Sequence, residues 1–153
     1  MRVPRMVAGL TAAIAAVAGL NLATAAPAAA DTGTWRPYGN TNPITSSSSR
    51  WACATTKTYA DFVYAQVCAI RAQDAVSVQP AVIVRNDRYS SFSADAWADL
   101  RIGGVPVGSY HCSTSGVGPR SWSVCFGATQ TYDVSVKAIG SVNNLYLGES
   151  PNV

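Results

Sequence analysis

From Trp51 onward the chain runs in short stretches rich in Val, Thr, Tyr and Trp, separated by Gly, Asn, Asp or Ser. Apolar and polar positions alternate within them with a period of two, which sets successive side chains on opposite faces of an extended backbone. The pattern predicts strands over Trp51–Thr58, Phe62–Arg71, Val76–Asn86, Ser91–Ile102, Val105–Cys112, Ser121–Thr129, Tyr132–Val142 and Leu145–Gly148. In the third, Val76, Val78, Val82 and Val84 share one face and Ser77, Gln79 and Arg85 the other. In the sixth, Trp122, Val124 and Phe126 oppose Ser121, Ser123 and Cys125, so Trp122 reads as a core residue. Each strand is expected to bury one face and wet the other. Pro80 gives no ladder hydrogen bond and predicts an edge or a bulge in its strand, hence an edge where another chain could pair. Phe92–Ile102 fits both periods, since Phe92, Ala96 and Leu100 also have helical spacing; the strand is favoured. That choice sets Ser93, Asp95, Trp97, Asp99 and Arg101 together on a solvated face, with Trp97 exposed among charges. Seven or eight such strands predict an all-β fold, an antiparallel β-sandwich over residues 51–153.

Before Trp51 the pattern changes. Asp31–Arg50 is made of Gly, Pro, Asn, Thr and Ser, with Ile44 almost the sole aliphatic residue, and buries too little apolar surface to fold alone. It is expected to be a flexible N-terminal arm over residues 31–50, whose removal leaves the fold intact and abolishes one partner interaction. The arm carries Trp35, Arg36, Pro37 and Tyr38, and Trp, Tyr and Arg are the side chains most often found as binding anchors. These four are the candidate partner-binding residues; the alternative is that Trp35 folds back on its own domain.

Composition sharpens the class. Hydrophobic residues make up 48% of the chain and charged ones only 12%. Part of that excess lies in residues 1–30, where Arg2 and Arg5 precede an Ala/Val/Leu-rich run ending in Ala28-Ala29-Ala30, the pattern of a secretory signal peptide and so of a secreted protein. The run holds Thr and Asn and leads into a cleavable small-residue site, which argues against a membrane span, so no membrane contact is expected after cleavage. Cleavage removes Arg2 and Arg5 from 11 basic residues set against 8 acidic ones, leaving a nearly neutral domain. The remaining Lys and Arg are spread singly, whereas nucleic acid binding draws on clustered cations, so nucleic acid is not an expected partner.

Four cysteines, Cys53, Cys68, Cys112 and Cys125, form an even set in an exported chain and predict two disulfides rather than a metal site. No Cys-x-x-Cys occurs and the single histidine, His111, stands beside Cys112, so no metal and no cofactor are expected. Of the three pairings possible, Cys53–Cys68 and Cys112–Cys125 each bracket two consecutive strands and a turn. A hydrolytic triad would have to use His111 with Ser109, Ser113 or Ser115, in a chain so rich in serine that this proximity is expected by chance. Paired carboxylates would have to include Asp95 and Asp99, which stand with Arg101 on the solvated face. No catalytic residue is expected, and the protein reads as a binder rather than an enzyme. Three modes compete: strand pairing at a sheet edge, sugar stacking on Trp97, Tyr89, Tyr110 or Trp122, and a small-ligand carrier or protease inhibitor using a rigid loop at Ser113–Arg120.

The order of features, with a leader, a Trp-bearing arm and then Trp51-Ala52-Cys53, Ala65-Gln66-Val67-Cys68-Ala69-Ile70-Arg71, Gln79-Pro80-Ala81-Val82-Ile83-Val84-Arg85-Asn86 and Ser121-Trp122-Ser123-Val124-Cys125-Phe126-Gly127, resembles the small adaptor subunit of umbrella toxin particles secreted by filamentous bacteria. The resemblance spans nearly the whole mature chain. It implies a non-enzymatic β-sandwich that links a lectin-like subunit to the repeat-containing scaffold of a toxin polypeptide. Docking on the scaffold would be by strand complementation, and Trp35, Arg36, Pro37 and Tyr38 would enter a cleft of the lectin-like subunit.

Overall fold

The computed structural model describes residues 29–153, so nearly all of the expected leader, residues 1–28, lies outside the described residues. Strand periodicity translates into two packed sheets. The larger has the order β2 (Thr34–Gly39), β9 (Ser121–Phe126), β6 (Ser77–Asn86), β5 (Val63–Arg71), β3 (Arg50–Cys53), with β10 (Gln130–Thr131) beside β6 and β4 (Lys57–Ala60) beside β5. The smaller has the order β1 (Asp31–Thr32), β8 (Val105–Val117), β7 (Phe92–Ile102), β11 (Lys137–Val142), β12 (Leu145–Glu149). Among the described residues only the short β1–β8 pairing is parallel. Tight turns link the longer antiparallel pairs: Gly103-Gly104 joins β7 to β8 and Asn143-Asn144 joins β11 to β12, all four residues at positive φ.

The sheets meet through the inward faces of β5, β6, β7 and β11. Val63, Val67, Val82, Val84 and Leu100 pack there against Ala94, Ala96 and Ala98, all fully or almost fully buried. The alanines of β7 fall on one face only in a strand, which settles the ambiguity of Phe92–Ile102. Both expected disulfides are present. Cys53–Cys68 joins directly opposed residues of β3 and β5, with Cα atoms 4.0 Å apart. Cys112–Cys125 spans 5.9 Å between Cα atoms and ties β8 to β9, so it links the two sheets rather than two neighbouring strands.

Four expectations change. Pro80 lies neither on an edge nor at a bulge, because β6 is central and its register with β5 is unbroken. Its carbonyl accepts from Gly127 N (2.9 Å), so its missing N–H faces the same side, where β9 has ended and β10 has not begun. Trp122, Val124 and Phe126 face away from the inter-sheet core, which Cys125 enters instead. They join Cys68, Ile70, Ala81 and Ile83 in a second apolar cluster on the outer face of the larger sheet. On the smaller sheet Asp99 is buried rather than solvated, accepting from Ser109 Oγ and paired with Arg101 at 3.4 Å, while Trp97 is half-buried. Finally, residues 132–136 are not strand: Arg71 donates to the carbonyls of Tyr132 (2.8 Å) and Val134 (2.6 Å), while Val136 pairs with Val153.

Candidate functional site

The segment expected to be a free arm is the place where the site forms. Asp31 and Thr32 lie beside Tyr110 and His111 of β8, and Gly33 N donates to the His111 carbonyl at 2.8 Å. The chain then leaves the smaller sheet and joins the larger one as β2, its terminal strand, antiparallel to β9. The crossing passes directly over the inter-sheet disulfide. A Cβ on Gly33 would lie 2.7 Å from Cys112 Sγ and 3.0 Å from the Phe126 carbonyl, so only glycine fits.

Alternation along β2 separates the four predicted anchors. Trp35 turns inward, packs against the inter-sheet core and donates from Nε1 to the Ser113 carbonyl at 2.9 Å, so it folds back on its own domain. Arg36 and Tyr38 point to the outer face. Pro37 is exposed on the terminal strand, just before a register break at Gly39. The structure therefore brings Arg36 and Tyr38 together and sends Trp35 to the opposite face.

The following residues, 40–49, are ordered by their own polar groups. Asn42 Oδ1 accepts from Ile44 N (2.9 Å) and Ser46 Oγ donates to the Asn42 carbonyl (2.8 Å), an Asx-type turn that lowers Ile44 onto the outer apolar cluster. Between this loop and the sheet lies a cavity of about 360 Å³, walled by Arg36 and Tyr38 of β2, Ser47 and Ser49 of the loop, Trp51 of β3 and Phe126 of β9. Trp51 and Phe126 meet edge to face with centroids 6.0 Å apart. Trp51 Nε1 is buried without a hydrogen-bond partner, and among the described residues Arg36 forms no ion pair. The cavity thus combines aromatic walls, an unpaired guanidinium and serine hydroxyls beside a terminal strand. That suits a side chain or short segment of another molecule.

Sequence reasoning singled out Arg36 and Tyr38 as partner-binding residues of a free arm and did not single out Trp51 and Phe126, which lie beside them. The available signal was the unbroken apolar runs Val67–Ile70 and Ala81–Val84, which mark strands covered on both faces rather than one.

The other candidates lie elsewhere. His111 and Asp95 meet at 2.8 Å on the outer face of the smaller sheet, with 44% and 42% of their side chains exposed. The Ser109 hydroxyl is turned to Asp99 and not to His111. Tyr110, a candidate for sugar stacking, is buried and bonded to Gln130. The expected rigid loop Ser113–Arg120 is mostly strand, since β8 continues to Val117. Among the described residues no group of three or more His, Cys, Asp or Glu side chains is placed to hold a metal ion.

Fold and site together define an all-β, two-disulfide domain with an aromatic cavity beside a terminal strand. No family model, curated protein or solved structure matches the chain.

Proposed function

We propose that the protein is a secreted, non-enzymatic adaptor that binds other secreted proteins through the edge of β2 and the cavity beside it. Among the described residues, one row of main-chain groups on Thr34–Gly39 has no neighbouring strand, so an extended segment can add there by main-chain hydrogen bonds. A side chain of that segment would enter the cavity between Arg36, Tyr38, Trp51 and Phe126. The observation that carries the reading is this coincidence of an open strand edge with an aromatic cavity. The resemblance to the umbrella-particle adaptor supplies the setting: a bridge between a lectin-like subunit and a repeat-containing scaffold in an extracellular toxin complex.

The test is recovery of partners from culture fluid on tagged protein, with Arg36→Ala/Tyr38→Ala compared against the parent chain. Loss of one partner from the double variant, with its melting temperature preserved, supports the reading. Identical partners on both proteins remove the β2 edge from it. A glycan array on the purified protein tests the sugar-binding alternative, which gains the argument if specific binding disappears in Trp97→Ala.

A further inference from the structure

We propose that the loops at one end of the sandwich, around Phe62 and Tyr89, form a second docking surface for an acidic protein segment bearing an aromatic anchor. Three connections converge there: the β4–β5 turn at Asp61 and Phe62, residues 87–91 between β6 and β7, and residues 118–120 between β8 and β9. Asn86, wholly buried at the end of β6, holds two of them together. Its Nδ2 lies 2.9 Å from the Ser90 carbonyl and 3.0 Å from those of Val117 and Gly118. Arg88 Nε adds the third by donating to the Asp61 carbonyl at 2.9 Å.

On this braced frame the molecule displays apolar surface that it does not use itself. Tyr89 is 89% exposed and Phe62 63%. Phe62 and Arg120 both sit at positive φ, 61° and 52°, where a bulky L-residue is strained and glycine or asparagine would be relaxed. A strained turn with its large ring in solvent gains nothing for the fold, and such strain gathers at binding sites. Two guanidinium groups border this surface: Arg120 lies 5.6 Å from the Tyr89 centroid, and Arg88 lies 5.9 Å from that of the buried Phe92. Neither is paired with a carboxylate among the described residues, and the Asp87 carboxylate is engaged by Arg85 at 2.6 Å. Asp61 is the other acid of the turn, so the three arginines exceed the local carboxylates by one.

Two hollows accompany this surface. One of about 410 Å³ is bounded by Phe62, Arg88, Tyr89 and Arg120. Another of about 260 Å³ runs onto the outer sheet face between Tyr64, Ile83, Arg85 and Trp122. Asp87 borders both, so the two hollows are neighbours in one tract of surface. The tract offers stacking surface and unpaired arginine, the combination that dominates protein interfaces and selects carboxylates beside apolar anchors. It is distinct from the β2 cavity, and an adaptor needs two such surfaces.

The probe is a fluorescently labelled random copolymer of glutamate and tyrosine, measured by anisotropy against the purified protein. The expected result is saturable binding that weakens about tenfold in Tyr89→Ala/Arg120→Gln. Phe62→Gly is expected to weaken binding without lowering the melting temperature, a divergence that a purely structural role would not give. Polyglutamate should bind less well than the copolymer, and Arg36→Ala at the other site should leave binding unchanged. The proposal fails if the parent protein does not bind the copolymer, or if the loop variants bind it as the parent does. It fails equally if a heparin fragment displaces the copolymer and binds more tightly, since the occupant would then be a sulfated glycan.

Discussion

Single side chains at the turns and strand ends of this domain answer the backbone directly, and that makes them testable. Asp74, between β5 and β6, accepts from the Ser77 hydroxyl and from the N–H groups of Ser77 (2.8 Å) and Val76 (3.0 Å). The Ser77 hydroxyl first, then these backbone donors, hold its carboxyl below the usual carboxylate range. A depressed folded-state pKa contributes stability above the unfolded value and loses it as pH falls through the folded one. Asp74→Asn is therefore expected to melt below the parent at neutral pH, with the difference shrinking as acid is added below about pH 4. A gap that stays constant down to pH 2 would deny the charge any role. Asn86 is the stronger case, since removing its amide orphans the buried Val117 carbonyl and frees those of Ser90 and Gly118. Asn86→Ala is expected to cost about 2–3 kcal/mol in denaturant unfolding.

At the scale of elements, the strands of the two sheets were legible wherever alternation was clean, and lost where other groups took over from the ladder. The alanines of β7 marked its buried face, and Cys53 and Cys68 were paired correctly because they lie on neighbouring strands. β1 and β2 were not legible, because an edge strand held by main-chain bonds needs no apolar pattern of its own, and Thr34–Gly39 has almost none. Trp122, Val124 and Phe126 alternate cleanly but face outward: periodicity shows that a strand has two faces without showing which one meets the other sheet. Residues 132–136 read as strand yet are fastened by Arg71, whose guanidinium also reaches the carbonyls of Ala75 (2.6 Å) and Val153 (3.1 Å). A planar fork serving four carbonyls is not replaced by an ammonium. Arg71→Lys is expected to cost about 2 kcal/mol and to raise amide exchange in residues 132–136 and 153, leaving β7 and β8 protected. Uniform loss of protection would mean that Arg71 supports the whole fold.

For the molecule as a whole, the N-terminal segment is built in rather than appended. It lies on both sheets, crosses between them at Gly33 and covers the outer cluster with Ile44, so cutting away residues 31–50 would strip β9 and uncover Ile83, Val124 and Trp51. Point variants are therefore the informative ones, and the two disulfides supply a matched pair. They close loops of similar sequence separation, 15 and 13, so the chain-entropy model assigns each about 3 kcal/mol. Their positions differ. Cys53–Cys68 joins strands already held by a ladder, whereas Cys112–Cys125 fixes β8 to β9 beneath the crossing that sets the position of β2. Cys112→Ala/Cys125→Ala and Cys53→Ala/Cys68→Ala should then lose comparable stability by denaturant unfolding. Only the former should raise amide exchange across Thr34–Gly39 and weaken the partner recovered through Arg36 and Tyr38. Equal effects on β2 would show that its position depends on global stability alone and not on the cross-link between the sheets.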